Sequence, residues 1–221
     1  MNSGIKGTRN WYAPELLIQV SQFQRSTPIR GTVKSDVFAT GLVFAYLLFD
    51  GQHLYGSNEF EIVNNILADK KVNINKIDPS HYALELISKM LKYERVDRIS
   101  SDEVVIQLKS IKQKLAVKEE EFRQLCKNTR LDLEKIKKLI QFGIDVNGKT
   151  NDGWNALHLL CHFDSNEKLI DAIKLLTQFG IDVESNVIDS RTLSPQNLNL
   201  NQNQETLNGI IQFLDGAARQ M

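Results

Sequence analysis

Residues 7–15 read G-T-R-N-W-Y-A-P-E, and three later stretches belong with them in order. Lys34-Ser35-Asp36-Val37-Phe38 runs on to Gly41. Gly51-Gln52-His53-Leu54-Tyr55-Gly56 follows. Residues 86–100 read L-I-S-K-M-L-K-Y-E-R-V-D-R-I-S. From inside the second stretch toward the third, residues 37–49 are V-F-A-T-G-L-V-F-A-Y-L-L-F. A helix apolar all round is a buried core helix. This run is too short for a bilayer span, which needs ~20 residues. Residues 1–34, with Gly4, Gly7, Pro14, Pro28 and Gly31, read as loop. Helical spacing predicts further helices over 59–67 and over 82–91, where Leu84, Ile87, Met90 and Leu91 share a face. Another begins at Ser100, where Ser100 and Glu103 have capping-box spacing. Residues 109–121 are highly charged and read as a helical connector; their lysines are followed by Glu119, Glu120 and Glu121, which suits a solvated face.

Together the four stretches resemble the carboxy-terminal, helical part of a protein-kinase catalytic domain, over roughly residues 3–108. Residues 7–15 are similar to the end of an activation segment, which closes on an aromatic and then Ala-Pro-Glu. The stretch from Lys34 resembles the start of the kinase's central buried helix. That at Gly51 resembles its Gly-x-His-Pro-Phe-Gly turn, with Leu54 departing from proline. Residues 86–100 resemble the segment that ends in a fixed arginine, with Ile99 departing from the proline after it. Trp11, where most Ser/Thr kinases carry tyrosine, and Ser3-Gly4 upstream narrow the resemblance. They point to the kinase–endoribonuclease sensors of the unfolded-protein response and their relative ribonuclease L.

The resemblance implies roles by position. Glu15 and Arg98 would form a buried ion pair, for which arginine supplies bidentate geometry that lysine does not. Asp36 would cap the buried helix and, in the family, steady the catalytic loop; Gly41 lies within that helix. Thr8, Trp11, Ala13 and Pro14 would line a peptide-substrate docking loop, though Trp11 also reads as plain core packing. Phosphoryl transfer needs a Gly-rich loop, a lysine on the phosphates, a catalytic Asp and Asn, and an Asp on magnesium. No G-x-G-x-x-G, H-R-D or D-F-G occurs in the 221 residues. So no catalytic residue is assigned, and no cofactor is expected in this chain; ATP and magnesium belong to the family. Without neighbouring kinase elements, part of the 37–49 helix should face solvent and make the isolated chain prone to aggregate.

The rest of the sequence repeats. Q-F-G-I-D-V at 141–146 recurs at 178–183, an offset of 37 residues, and such self-similarity signals stacked repeats. Gly143 and Gly180 fall where helices end in a residue with φ above zero. Residues 131–147 resemble the second helix and exit turn of an ankyrin repeat, and 152–161 the next repeat's tip and first helix. A degenerate third unit would run over 189–214, within which the Asn/Gln-rich 197–205 stands out. The resemblance implies protein binding, with Asp152 and Trp154 as tip candidates; Trp154 could equally pack on the kinase-like part. His158 and His162 stand four apart beside Cys161, but ankyrin repeats use a histidine at the position of His158 structurally, and no metal site is assigned.

The fold expectation is therefore mainly α: a partial kinase C-lobe over 1–112, a connector over 113–124, and a short ankyrin-type helical stack over 125–215. Lysine plus arginine and aspartate plus glutamate are both 27, so no net basic field calls for nucleic acid or an anionic membrane. Two cysteines without metal-ligand spacing and the lack of a signal-like apolar run suit reduced thiols in a cytoplasmic protein. Two functions stay open: a non-catalytic interaction module, or a piece of an active Ser/Thr kinase whose ATP-binding half is encoded before Met1. A ribonuclease is disfavoured, because ankyrin-like sequence occupies the place of the nuclease.

Overall fold

The computed structural model describes residues 8–22, 31–128, 130–163 and 168–181, with the backbone alone at 162 and 163. The fold is mainly helical, and no strand occurs among the described residues. The chain divides into two compact units between Gln113 and Lys114, inside the stretch read as a connector.

The first unit is built on α2 (Val33–Leu48). Before it comes α1 (Pro14–Gln22), where the sequence reading placed loop. The glycines and prolines of 1–34 suggested irregular chain, but Pro14 sits at the first helical position, where its missing N–H costs nothing. Glu15 in the first turn suits the helix dipole. Leu16 and Leu17 then bury one side. A second correction concerns Asp36. The cap of α2 is Thr32, whose hydroxyl accepts from the Ser35 N–H while the Ser35 hydroxyl accepts from the Thr32 N–H. Asp36 lies exposed past this reciprocal box.

α3 (Glu59–Leu67) is capped by Asn58, and α4 (Tyr82–Met90) by His81. Both start where periodicity put them. The core around α2 gathers Leu17, Phe38, Leu42, Leu54, Ile66 and Ile87. Each such side chain contributes ~1.5–3 kcal/mol when fully buried. α2 and α4 pack closely at Gly41. A Cβ there would come within 2.9 Å of Met90 Cβ and 3.0 Å of Leu91 Cδ2. One strip of α2 is not covered by the described residues: Val33, Asp36, Thr40, Val43 and Leu47 are exposed, Val43 at 43% and Leu47 at 69%. The helix apolar all round is thus buried on one side only.

α5 (Ser101–Cys126) is one continuous helix from the Ser100–Glu103 capping box through the charged connector. Its first turns put Val104 and Ile111 against Val37, Leu86 and Met90.

The second unit holds the end of α5 with α6 (Leu133–Phe142), α7 (Ala156–Phe163) and α8 (Leu169–Gln178). Phe122, Ile136, Leu139, Leu160, Ile173 and Leu176 belong to its core. The described part of each sextet copy closes a helix, α6 in the first and α8 in the second. Gly143 after α6 has φ 101° and Gly180 after α8 has φ 78°, both in the left-handed region that glycine enters without penalty. Ile144, Val146 and Ile181 are buried after them. Asn147, just past the first copy, donates from Nδ2 to the Gly180 carbonyl of the second at 3.1 Å. The third repeat read over 189–214, Val183 and the side chain of His162 lie outside the described residues.

Candidate functional site

Two features of the first unit concentrate polar chemistry, a buried clasp and a cavity next to it in sequence. The clasp joins residues 83 apart. Arg98 Nη1 donates to Glu15 Oε1 at 2.9 Å and Nη2 to Glu15 Oε2 at 3.0 Å. The remaining donors reach backbone carbonyls: Nε to Lys92 at 3.1 Å, Nη1 to Lys34 at 2.7 Å and Nη2 to Tyr93 at 3.2 Å. A guanidinium has five N–H donors, and all five are used. The Arg98 side chain is 0% exposed, and its charge stands 4.9 Å from the centre of the Phe38 ring. Lys34 closes the circle by donating from Nζ to the Arg98 carbonyl.

Burial pushes the Glu15 carboxyl upward. The Arg98 hydrogen bonds, Glu15's own backbone, the Arg98 charge and the Ser35 hydroxyl at 2.9 Å outweigh it, and the net pKa is below the usual carboxylate value. The clasp thus ties the first turn of α1 to the first turn of α2 and to the chain before α5. Removing one partner would strand a buried charge at a cost of about 3–5 kcal/mol.

The cavity, of about 660 Å³, lies beside the same loop, with Trp11, Tyr46, His53 and Glu61 among its lining. A short 3-10 turn over Arg9–Trp11 delivers Trp11. Its ring meets Tyr46 at 5.5 Å and 77°, and His53 at 5.2 Å and 75°, both edge to face. His53 is buried; its Nδ1 accepts from the Tyr55 N–H at 3.2 Å, so the proton sits on Nε2, which is buried without a hydrogen-bond partner. Burial lowers the His53 pKa and outweighs the opposing influence of the Asn10 backbone, which keeps the ring neutral. Glu61 is pinned by Ser57, whose N–H and hydroxyl both donate to Oε2 at 2.9 and 3.0 Å. These bonds lower its pKa. Gly56 leaves room for it, since a Cβ there would lie 2.7 Å from Glu61 Cδ.

The docking-loop residues separate. Thr8 is exposed and Trp11 is half-buried at the cavity wall. Ala13 and Pro14 are buried, so they support the loop from beneath and offer no surface. This corrects the expectation that all four line a docking face; the turn into α1 draws the last two inward. Asp36 and Gly41 lie on different sides of α2, the first exposed and the second buried. The sequence reading missed Thr32, Lys34 and Ser35 as clasp and cap residues, and Tyr46 and Glu61 as cavity walls. The Asn58–Glu61 spacing before an apolar run was the available signal for Glu61.

In the second unit, Asp152 is exposed in a turn closed by Thr150 N–H to the Trp154 carbonyl at 2.7 Å and by Gly153 N–H to the Thr150 carbonyl at 2.9 Å. Trp154 is half-buried against its own unit's core. Asn155 Oδ1 accepts from the His158 N–H at 3.1 Å and meets His158 Nδ1 at 2.7 Å, so His158 serves the start of α7. Burial pushes the Cys126 thiol up to about 12 and the Cys161 thiol to about 11, so neither is a reactive thiolate at neutral pH. Among the described residues no group of three or more His, Cys, Asp or Glu is placed to hold a metal, and no helix is long and apolar enough to cross a membrane.

The protein kinase domain family matches residues 2–130, more than half of the sequence, and the chain belongs to that family. Among curated relatives it is 34% identical over 104 residues to the serine/threonine-protein kinase/endoribonuclease ire-1 of Caenorhabditis elegans, a match covering 47% of this chain and 10% of that protein. It is 39% identical over 64 residues to the serine/threonine-protein kinase/endoribonuclease IRE2 of Homo sapiens, covering 29% of this chain and 6% of that protein. A third relative, the probable serine/threonine-protein kinase irlC of Dictyostelium discoideum, is 32% identical over 77 residues, covering 35% of this chain and 5% of its own. The chain thus spans a tenth or less of the length of these relatives. No solved structure matches it.

Proposed function

We propose that this chain is the substrate-side, helical part of a Ser/Thr protein kinase domain of the kinase–endoribonuclease branch, and that the 221 residues alone dock proteins without transferring phosphate. The observation that carries the reading is the Glu15–Arg98 clasp, which fixes the Trp11 loop as a rigid face beside an open cavity. ATP and magnesium serve the family in general, and no residue of this chain is assigned to either.

The second unit extends the docking role. Its matched glycine turns, the Asn147–Gly180 bond and the self-closed turn at 150–154 support an ankyrin-like stack over 125–215 that binds protein. Asp152 is the accessible tip residue; Trp154 shapes the tip from its half-buried place. A cytoplasmic setting without nucleic-acid or membrane partners suits the balanced charge.

One observation favours the second reading, a piece of an active kinase. The exposed strip Val33, Asp36, Thr40, Val43 and Leu47 is the sort of face that further kinase elements would cover. The two readings part in one experiment. A transcript that continues in frame upstream of Met1 with Gly-rich-loop, H-R-D and D-F-G motifs supports the active kinase, and a stop codon there supports the module.

A further inference from the structure

The cavity beside Trp11 is lined by polar atoms without partners, one a donor, the buried His53 Nε2–H, and others acceptors. Asn10 Oδ1 is buried without a hydrogen-bond partner. Glu61 takes both Ser57 bonds on Oε2, leaving Oε1 for another donor. The amide of Asn73, which could have served, already donates from Nδ2 to the His53 carbonyl at 2.8 Å. Two aromatic rings, Trp11 and Tyr46, line the same space and stand nearly perpendicular, so neither is covered by a parallel neighbour.

Aromatic faces beside a fixed carboxylate attract a cation. A group that must also reach two separate acceptors needs several donors in a plane, which guanidinium has and ammonium lacks. We propose that this cavity receives an arginine side chain from a protein partner, stacked on the Trp11–Tyr46 corner and donating to Glu61 Oε1 and Asn10 Oδ1. At about 660 Å³ the cavity holds more than the guanidinium, so residues flanking the arginine share it. Lys70 acts on Glu61 from outside the lining, and the opposing charge within it is Lys76, which donates to Gln52 Oε1. Its ammonium repels the guest and sets a sign for the test. His53 is neutral and adds no charge.

The inference rests on the reading of this loop as a docking face, and the test separates the two. Trp11 and Trp154 are the chain's two tryptophans, so Trp154→Phe in the full chain leaves Trp11 as the reporter. The probes are acetylated, amidated Gly/Ser peptides with one central arginine, or with citrulline or lysine in its place. The arginine peptide should shift Trp11 emission saturably. Citrulline, Glu61→Gln and Tyr46→Leu should each weaken binding by about tenfold. Lys76→Ala should tighten it by about threefold at low salt. Glu61→Gln keeps an acceptor for Ser57, and the Lys76→Ala sign stands even if that variant folds poorly. Equal binding of citrulline and arginine would overturn the arginine assignment while leaving the docking face intact. Weaker binding on Lys76→Ala would overturn it in favour of an acidic guest. Silence of Trp11 to every peptide would overturn both.

Discussion

The two units hold themselves together by opposite means. In the first, a single arginine gathers a carboxylate 83 residues away and three backbone carbonyls from two separate segments. In the second, the polar contacts are mainly short in sequence: Asp132 caps α6 through Lys135, Asn155 pairs with His158, and glycines close α6 and α8. Long-range charge pairing concentrates stability in a few atoms that fail together. Local caps on a repeated core spread it over many atoms that fail separately. A kinase-type lobe needs the first arrangement, because its loop must be held from a distance. The repeat stack proposed for the second unit would need only contacts between neighbours.

This contrast can be broken most forcefully at Arg98. Arg98→Ala should lower the stability of the first unit by about 3–5 kcal/mol, because it strands Glu15 and frees the Lys34, Lys92 and Tyr93 carbonyls. Urea unfolding followed at Trp11 in a Trp154→Phe background should show the loss, and the Trp154 signal in a Trp11→Phe background should not move. A shift of equal size in both would mean that the units do not unfold separately.

Gly41→Ala comes next. The added methyl would lie well inside van der Waals contact of Met90 and Leu91, so the helices must shift and it should cost about 1–3 kcal/mol, partly offset by better helix propensity. A neutral or stabilising result would show that α2 and α4 can slide apart freely.

The pH response sharpens the contrast. The folded Glu15 pKa is lowered, so its contribution is fully present above the unfolded value of ~4.3 and is lost as pH falls through the folded value. The Trp11 transition should therefore lose stability below about pH 4.3, and Glu15→Gln should remove that part of the slope. An unchanged acid slope in Glu15→Gln would assign it to other carboxylates.

Gly143→Ala should have a smaller effect, about 1 kcal/mol on the second unit, from φ 101° alone. The smallest stability effect belongs to the exposed strip. Val43→Asn with Leu47→Lys should change unfolding by less than ~0.5 kcal/mol yet reduce light scattering of the concentrated chain. Unaltered scattering would mean that the strip is not the sticky surface.

Helix spans were legible where apolar periodicity and caps agreed, as for α3 and α4. The α1 helix was hidden because Pro14 reads as a breaker unless it is recognised as a first-turn residue. Asp36 drew attention as a cap, although Thr32 and Ser35 hold that place with two ordinary hydroxyls. The Glu15–Arg98 pairing was legible from family resemblance. Its extent was not, since the carbonyls of Lys34, Lys92 and Tyr93 carry no side-chain signature. The cavity was half legible: Trp11 and the His53 turn were visible in the motifs. Tyr46 and Glu61 join them only through folding, one from the last turns of α2 and one from the first turn of α3.

The central claim, a kinase-family lobe that docks but does not phosphorylate, is tested most directly by phosphotransfer. The purified 221-residue chain, with radiolabelled ATP and magnesium, is offered a generic basic protein substrate and compared with its Arg98→Ala variant. The account predicts no transfer above the variant's background. Transfer that copurifies with the intact chain and falls with Arg98→Ala would contradict it.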